Sequence, residues 1–168
     1  GDLSAVVGVV LSNNESSGIL KKAKNYGIEN QFICHKNKKR SVFDFEISQI
    51  LESKKIDLIL LIGFMRILSP AFVDRWAGKI INVHPSLLPK HAGGMNNDVH
   101  ESVLAAGDKE TGCTIHLVTK EVDGGPILLQ KSCPVFENDT VHSLKERVQE
   151  LEGKAFIEVI NNWRNYEY

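Results

Sequence analysis

Asp57-Leu58-Ile59-Leu60-Leu61-Ile62, then Ser69-Pro70, then Lys79-Ile80-Ile81-Asn82-Val83 make up the stretch that decides the fold. The first and last runs are nearly continuous in apolar residues, the pattern of strands buried on both faces. Between them Ser69-Pro70 reads as a helix start, with serine as the cap and proline at the first helical position. Strand, helix and strand in that order predict a parallel pair covered by a helix. In such sheets ligands bind beyond the carboxyl ends of the strands. Two polar-rich segments stand at those ends, Gly63 to Ser69 and Asn82 to Met95.

The same alternation extends upstream. Ala5 to Leu11 is a β-branched run that reads as another buried strand, and Gln31 to Cys34 is a weaker one. Ser16 and Ser17 can cap a short helix carrying Ile19, Leu20, Ala23 and Tyr26, with Gly27 ending it. Ser41-Val42-Phe43-Asp44 resembles a capping box with Asp in place of Glu, opening a helix with Phe43, Ile47, Ile50, Leu51 and Ile56 at helical spacing. Downstream the pattern changes. A helix over Asn97 to Ala106 is followed by an alternating run, Cys113 to Thr119, and an apolar one, Ile127 to Val135. Asp123-Gly124-Gly125-Pro126 lies between these two as a turn-rich connection, so they read as an antiparallel pair. Thr140 caps a long final helix bearing Leu144, Val148, Leu151, Phe156, Val159 and Ile160. The prediction is a single α/β domain over residues 1–168: three layers, a mostly parallel twisted sheet with helices on both faces, and an antiparallel C-terminal strand pair.

Composition narrows the class. Apolar residues make up 42% of the 168 and charged residues 24%, ordinary values for a soluble globular protein. Twenty basic against twenty-one acidic side chains exclude a general electrostatic grip on nucleic acid. His35-Lys36-Asn37-Lys38-Lys39-Arg40 is the one basic cluster and reads most simply as a solvated loop. No window approaches the ~20 apolar residues of a membrane span, and no signal-peptide pattern opens the sequence. Cys34, Cys113 and Cys133 form no CxxC and sit among apolar residues, as structural thiols of a reducing compartment do. A cytoplasmic enzyme acting on small molecules fits these bounds, as do many other proteins.

Asn82 and His84 stand two apart at a predicted strand end, so period-two geometry sends both side chains to one face. An amide beside an imidazole suits acyl chemistry, because both donate hydrogen bonds to a developing oxyanion and the imidazole moves protons near neutral pH. Spacing alone leaves open an asparagine satisfied at the strand end beside a surface histidine. Asp123 precedes two glycines and a proline, in a loop able to approach a ligand. A carboxylate there would favour charged His84, whereas a turn aspartate bonding its own backbone is the commoner arrangement. His116, on the alternating strand, reads equally as a packed core histidine or a catalytic one. No His, Cys and carboxylate set has zinc-like spacing, so no metal is expected. Neither GxGxxG nor GxxxxGK[ST] occurs.

Four blocks in order carry a resemblance. They are Gly63-Phe64-Met65-Arg66-Ile67-Leu68-Ser69-Pro70, Asn82-Val83-His84-Pro85-Ser86-Leu87-Leu88-Pro89, Thr111-Gly112-Cys113-Thr114-Ile115-His116 and Asp123-Gly124-Gly125-Pro126-Ile127. Together they resemble the glycinamide ribonucleotide formyltransferases, over about Val6 to Ile160. The resemblance implies transfer of a formyl group from 10-formyltetrahydrofolate to the amine of glycinamide ribonucleotide in purine synthesis. Asn82, His84 and Asp123 match the family's catalytic trio. It implies that Asn82 and protonated His84 stabilise the oxyanion and that Asp123 raises the His84 pKa and positions a water. It further implies a folate site made of Met65, Arg66, Ile67, Leu68, Asn82, Thr119, Lys120, Glu121, Val122 and Asp123, with Arg40 near the folate tail. Pro85, Gln149 and Glu152 match substrate-binding positions, Glu152 against the ribose hydroxyls. Relatives of this kind are monomers or homodimers.

The sequence departs from the family at its start. Members open with a strand, a glycine- and serine-rich phosphate loop and a helix, whereas here Val6 already lies in what resembles the second strand. The expectation is a formyltransferase domain presented without that first strand, loop and helix. Lys90-His91-Ala92-Gly93-Gly94-Met95 also looks longer than its family counterpart. Two alternatives stand beside the transferase: a formyltetrahydrofolate deformylase, passing the same group to water, and a folate-binding remnant without transfer.

Overall fold

The structure, a computed structural model, describes residues 3–94 and 97–166. Two compact units divide the chain, one built from Ala5–Leu58 and Ile67–Trp76, the other chiefly from Ile59–Arg66 and Ala77–Tyr168.

In the smaller unit β1 (Val10–Ser12) pairs in parallel with β2 (Asn30–Phe32) around the crossover helix α1 (Gly18–Asn25). Helices α2 (Arg40–Ser53) and α3 (Pro70–Arg75) complete it. Leu20, Ile33, Phe43, Leu51, Phe72 and Trp76 are buried, and the Trp76 indole N–H donates to Ser48 Oγ at 3.0 Å. Helix α3 starts as its sequence predicts: Ser69 Oγ accepts from the Phe72 N–H at 3.4 Å, and proline occupies the first turn. Gly27, with φ +67°, follows α1 in the left-handed conformation that ends helices.

Two expectations fail here. The run from Ala5 to Leu11 contributes only its last residues to a strand, and Val6 and Val7 are 93% and 48% exposed. Its β-branched composition signalled extended backbone, but strand pairing depends on a partner, which residues 5–9 lack among the described residues. The capping box at Ser41 to Asp44 does not form either. Lys39 is the N-cap and gives no side-chain bond, while the buried Asp44 carboxylate accepts from the Ser69 N–H at 2.5 Å. A distant donor has taken the acceptor that a capping box needs.

The larger unit carries a four-stranded sheet, β3 (Ile59–Leu61), β4 (Ile80–His84), β5 (Glu110–Leu117) and β6 (Ile127–Pro134) in that order. β3 and β4 are parallel, while β4–β5 and β5–β6 are antiparallel. The sheet is therefore mixed: β5 and β6 form the expected antiparallel pair, and β5 runs antiparallel to β4 as well. The connection from β4 to β5 contains helix α4 (Asn97–Ala106) and is long enough to return the chain in either direction, so order along the sequence did not fix its sense. Helix α5 (Val141–Asn161) packs on β5 and β6 and buries Leu144, Val148, Ala155 and Val159. Its start is a capping box: Thr140 Oγ1 accepts from the Ser143 N–H while Ser143 Oγ accepts from the Thr140 N–H. Every residue of β5 from Thr111 to Leu117 is buried, so the alternation in its sequence does not mark a wet face. At Gly112 a β-carbon would stand 1.9 Å from the Lys131 carbonyl oxygen, which leaves glycine as the residue that lets β5 and β6 approach.

Candidate active site

Asn82 and His84 occupy the carboxyl end of β4, on one face of the sheet by the strand's period of two. Antiparallel register sets His116 of β5 opposite Asn82, and Thr114 opposite His84. The loop after β4 is braced from β5. Thr114 Oγ1 donates to the Ser86 carbonyl at 2.7 Å and accepts from the Leu88 N–H at 3.0 Å and from Gln130 Nε2 at 2.9 Å.

His84 is 3% exposed and has an acceptor at each ring nitrogen. Nε2 donates to the His91 carbonyl oxygen at 2.8 Å, and Nδ1 lies 3.3 Å from Asp123 Oδ2. A carbonyl oxygen can only accept, so Nε2 carries a hydrogen, and Nδ1 is the nitrogen left to gain or lose a proton. Burial holds the His84 pKa below its ordinary value; the His91 carbonyl, then the Asp123 carboxylate, oppose this, and the imidazoles of His116 and His91 add to it. Asp123 thus acts upward on His84, but desolvation outweighs it.

Asp123 reaches this position through its loop. It adopts a left-handed backbone, φ +53°, and its Oδ2 accepts from the Gly93 N–H at 2.8 Å. The Leu117 N–H donates to the Pro126 carbonyl at 2.9 Å, and a β-carbon on Gly125 would stand 1.8 Å from the Leu117 carbonyl oxygen. The loop is thereby pinned to the end of β5, and glycine is required where the two backbones meet.

His116 joins the same cluster. Its Nδ1 donates to the Leu117 carbonyl at 2.9 Å, which leaves Nε2 as an acceptor 3.3 Å from Asn82 Nδ2. Nε2 also stands 3.6 Å from Asp123 Oδ1. His116 therefore orients the Asn82 amide by accepting one of its N–H groups. His116 carried no decisive weight in the sequence; its position opposite Asn82 in an antiparallel pair was the available signal. The other residue underrated from sequence is His91, whose φ of +57° no local pattern announced.

The remaining candidates fall in both units. Pro85, partly buried, follows His84 directly, and Thr119, Lys120, Glu121 and Val122 form the exposed approach to Asp123. Thr119 Oγ1 accepts from the Glu121 N–H at 3.3 Å, closing that turn. Met65 and Arg66 follow β3, Met65 being 52% exposed. Gln149 and Glu152 lie three apart on α5, Gln149 exposed and Glu152 partly buried. Burial pushes the Glu152 carboxyl up to about 7, and Lys145 acts in the opposite direction. Arg40, Ile67 and Leu68 belong to the smaller unit, where Arg40 opens α2 exposed, Ile67 is exposed and Leu68 is buried. A cleft of about 480 Å³ is lined by Lys90, His91, Asp108 and Thr111, among others, and by none of Asn82, His84 or Asp123. Among the described residues no group of three or more His, Cys, Asp or Glu is placed to hold a metal ion, and no helix is long and apolar enough to cross a membrane.

Residues 1–160 match the family model described as formyl transferase. The chain is 40% identical over 161 residues to the phosphoribosylglycinamide formyltransferase of Haemophilus influenzae, covering 95% of this chain and 74% of that protein. It is 46% identical over 153 residues to the trifunctional purine biosynthetic protein adenosine-3 of Gallus gallus, covering 90% of this chain and 15% of that much longer protein. Among solved structures, the phosphoribosylglycinamide formyltransferase of Coxiella burnetii superposes with a TM-score of 0.90 at 36% identity, covering 99% of this chain and 79% of that one.

Proposed function

The chain belongs to the formyl transferase family, and from that premise we propose that it transfers a formyl group from 10-formyltetrahydrofolate to the amine of glycinamide ribonucleotide in purine synthesis. One observation carries the reading: the Asn82 amide and the His84 imidazole end the same strand, with the Asp123 carboxylate 3.3 Å from His84 Nδ1. The donor supplies a formyl carbon activated by attachment to a ring-conjugated nitrogen.

Asn82 presents its remaining N–H to the formyl oxygen as negative charge develops there, and His116 fixes the direction of that N–H. His84, whose burial disfavours the charged imidazole, takes the proton that the attacking amine sheds and returns it to the departing folate nitrogen. Asp123 steadies the imidazolium in between. The balance is closed: a carbon–nitrogen bond forms to the substrate amine, one breaks to the folate, and one proton moves from the first nitrogen to the second.

Met65 and Val122, 52% and 55% exposed, offer apolar surface to the folate ring, and the Thr119–Asp123 backbone offers hydrogen bonds to its edge. Arg40 is assigned to the acidic folate tail, and Pro85, Gln149 and Glu152 to the ribonucleotide. Cys34, Cys113 and Cys133 are all free thiols, which fits work in the reducing cytoplasm. The test is to supply 10-formyltetrahydrofolate with and without glycinamide ribonucleotide and follow tetrahydrofolate. Release that requires the ribonucleotide is expected; release at the same rate without it would replace transfer by hydrolysis.

A further inference from the structure

His91 is anchored more firmly than a loop residue needs to be. Its Nε2 donates to Asp108 Oδ2 at 2.9 Å, and its Nδ1 accepts from the Ser102 hydroxyl at 2.7 Å, a pairing that fits one neutral tautomer of the ring. Ser102 belongs to α4, and Asp108 stands in the short connection from α4 to β5, so both anchors lie outside the loop that carries His91. Lys90 Nζ takes the second Asp108 oxygen at 3.1 Å. The His91 and Asp108 side chains are 12% and 16% exposed. Meanwhile the His91 backbone sits in the left-handed region, φ +57°, which a residue with a β-carbon adopts only when its surroundings enforce it. The consequence of that backbone is visible at once: the His91 carbonyl points at His84 Nε2, 2.8 Å away.

We propose that the Asp108–His91–Ser102 clasp is a positioning device that aims the His91 carbonyl at His84, keeping a hydrogen on Nε2 and reserving Nδ1 for proton transfer. The inference rests on the formyl-transfer reading for its consequence in turnover, but not for its structural content. Without the clasp the carbonyl loses the constraint that directs it. The neutral imidazole then distributes its hydrogen between both nitrogens, and the fraction with a usable lone pair at Nδ1 falls. Of the groups around His84, the Asp123 carboxylate favours a hydrogen on Nδ1, whereas the His116, His91 and His100 imidazoles oppose a positive charge on the ring. The His91 carbonyl is the acceptor among these contacts that selects Nε2. His91 itself touches no reacting atom.

The experiment uses the full protein labelled with ¹⁵N-histidine, with the His84 signals assigned by their loss in His84→Ala. The wild type is expected to give a neutral His84 with Nε2 protonated and Nδ1 bare. In Asp108→Ala and in the milder Ser102→Ala the two nitrogen shifts are expected to move toward each other as tautomers mix. Turnover is expected to fall in step with the Nε2-protonated fraction, about twofold at equal mixing, while KM for both substrates stays unchanged. His91→Leu is expected to behave like Asp108→Ala, and His91→Gln, whose amide can still donate to Asp108, to recover part of the loss. Unchanged His84 shifts in Ser102→Ala and Asp108→Ala, with both variants folded, would overturn the clasp. Should the wild type transfer no formyl group while the shifts still respond, the functional reading fails and the clasp stands.

Discussion

Replacing Glu152 by Gln separates a residue's service to the substrate from its cost to the fold. Glu152 lies on α5, and burial pushes its carboxyl from an ordinary 4.5 up to about 7. The folded protein thus holds this proton more tightly than the unfolded chain does. The sign follows: below pH 4.5 both states are protonated and the residue costs nothing, the cost grows as pH rises, and it is complete above about 7. At about 1.36 kcal/mol for each pH unit of that interval, an ionised Glu152 costs about 3 kcal/mol at pH 8. Glutamine keeps the shape and removes the charge, so Glu152→Gln is expected to be more stable at pH 8 by about that amount and equal to wild type near pH 4.5. Urea unfolding across this range provides the assay, and a midpoint raised by roughly 1–2 M at pH 8 is the expected result. The gain is set against function. Loss of a charged partner for the ribose hydroxyls is expected to raise KM for glycinamide ribonucleotide by about tenfold or more, with KM for the folate unmoved. A midpoint difference that is the same at pH 5 and pH 8, or a variant less stable than wild type at pH 8, would refute the argument.

Other perturbations test the cluster at the end of β4. His84→Ala is expected to lower turnover by roughly 10²–10⁴-fold with folate affinity, read by fluorescence titration, nearly unchanged. Asp123→Asn removes a contact that raises the His84 pKa, so the pH at which His84 titrates, followed by NMR, is expected to move further down. An unaltered titration would remove Asp123 from that role. His116→Leu leaves the Asn82 amide without its orienting acceptor and is expected to cost turnover rather than folate affinity, measured as a fall in kcat at constant KM. Gly125→Ala drives a β-carbon to within 1.8 Å of the Leu117 carbonyl, so a stability loss of about 1–3 kcal/mol in urea unfolding is expected, together with reduced turnover as Asp123 shifts.

Much of the fold could be read from local chemistry, and the exceptions share a cause. Ser69-Pro70, Thr140 and Gly27 marked helix ends through side-chain or backbone properties that act within a few residues, and each does so in the structure. Asp44 failed as a capping residue because a donor 25 positions away claimed its carboxylate. The sense of β4 against β5 and the unpaired stretch at residues 5–9 likewise depend on distant partners. The site divides along the same line. Asn82 and His84 stood out through their spacing on one strand and Asp123 through its turn, but only the four blocks resembling the formyltransferases set the three apart from a satisfied strand end and an ordinary turn aspartate. His116 entered through register across two strands, and His91 through a left-handed peptide held by groups on other elements. Neither arrangement leaves a mark in a window of neighbouring residues.

The most direct test of the account follows the formyl carbon itself. With ¹³C-formyl-labelled 10-formyltetrahydrofolate and glycinamide ribonucleotide, NMR of the reaction is expected to show the label appearing as the formamide of the ribonucleotide, at a rate that collapses in His84→Ala. Label accumulating as free formate, or transfer that persists undiminished without His84, would contradict it.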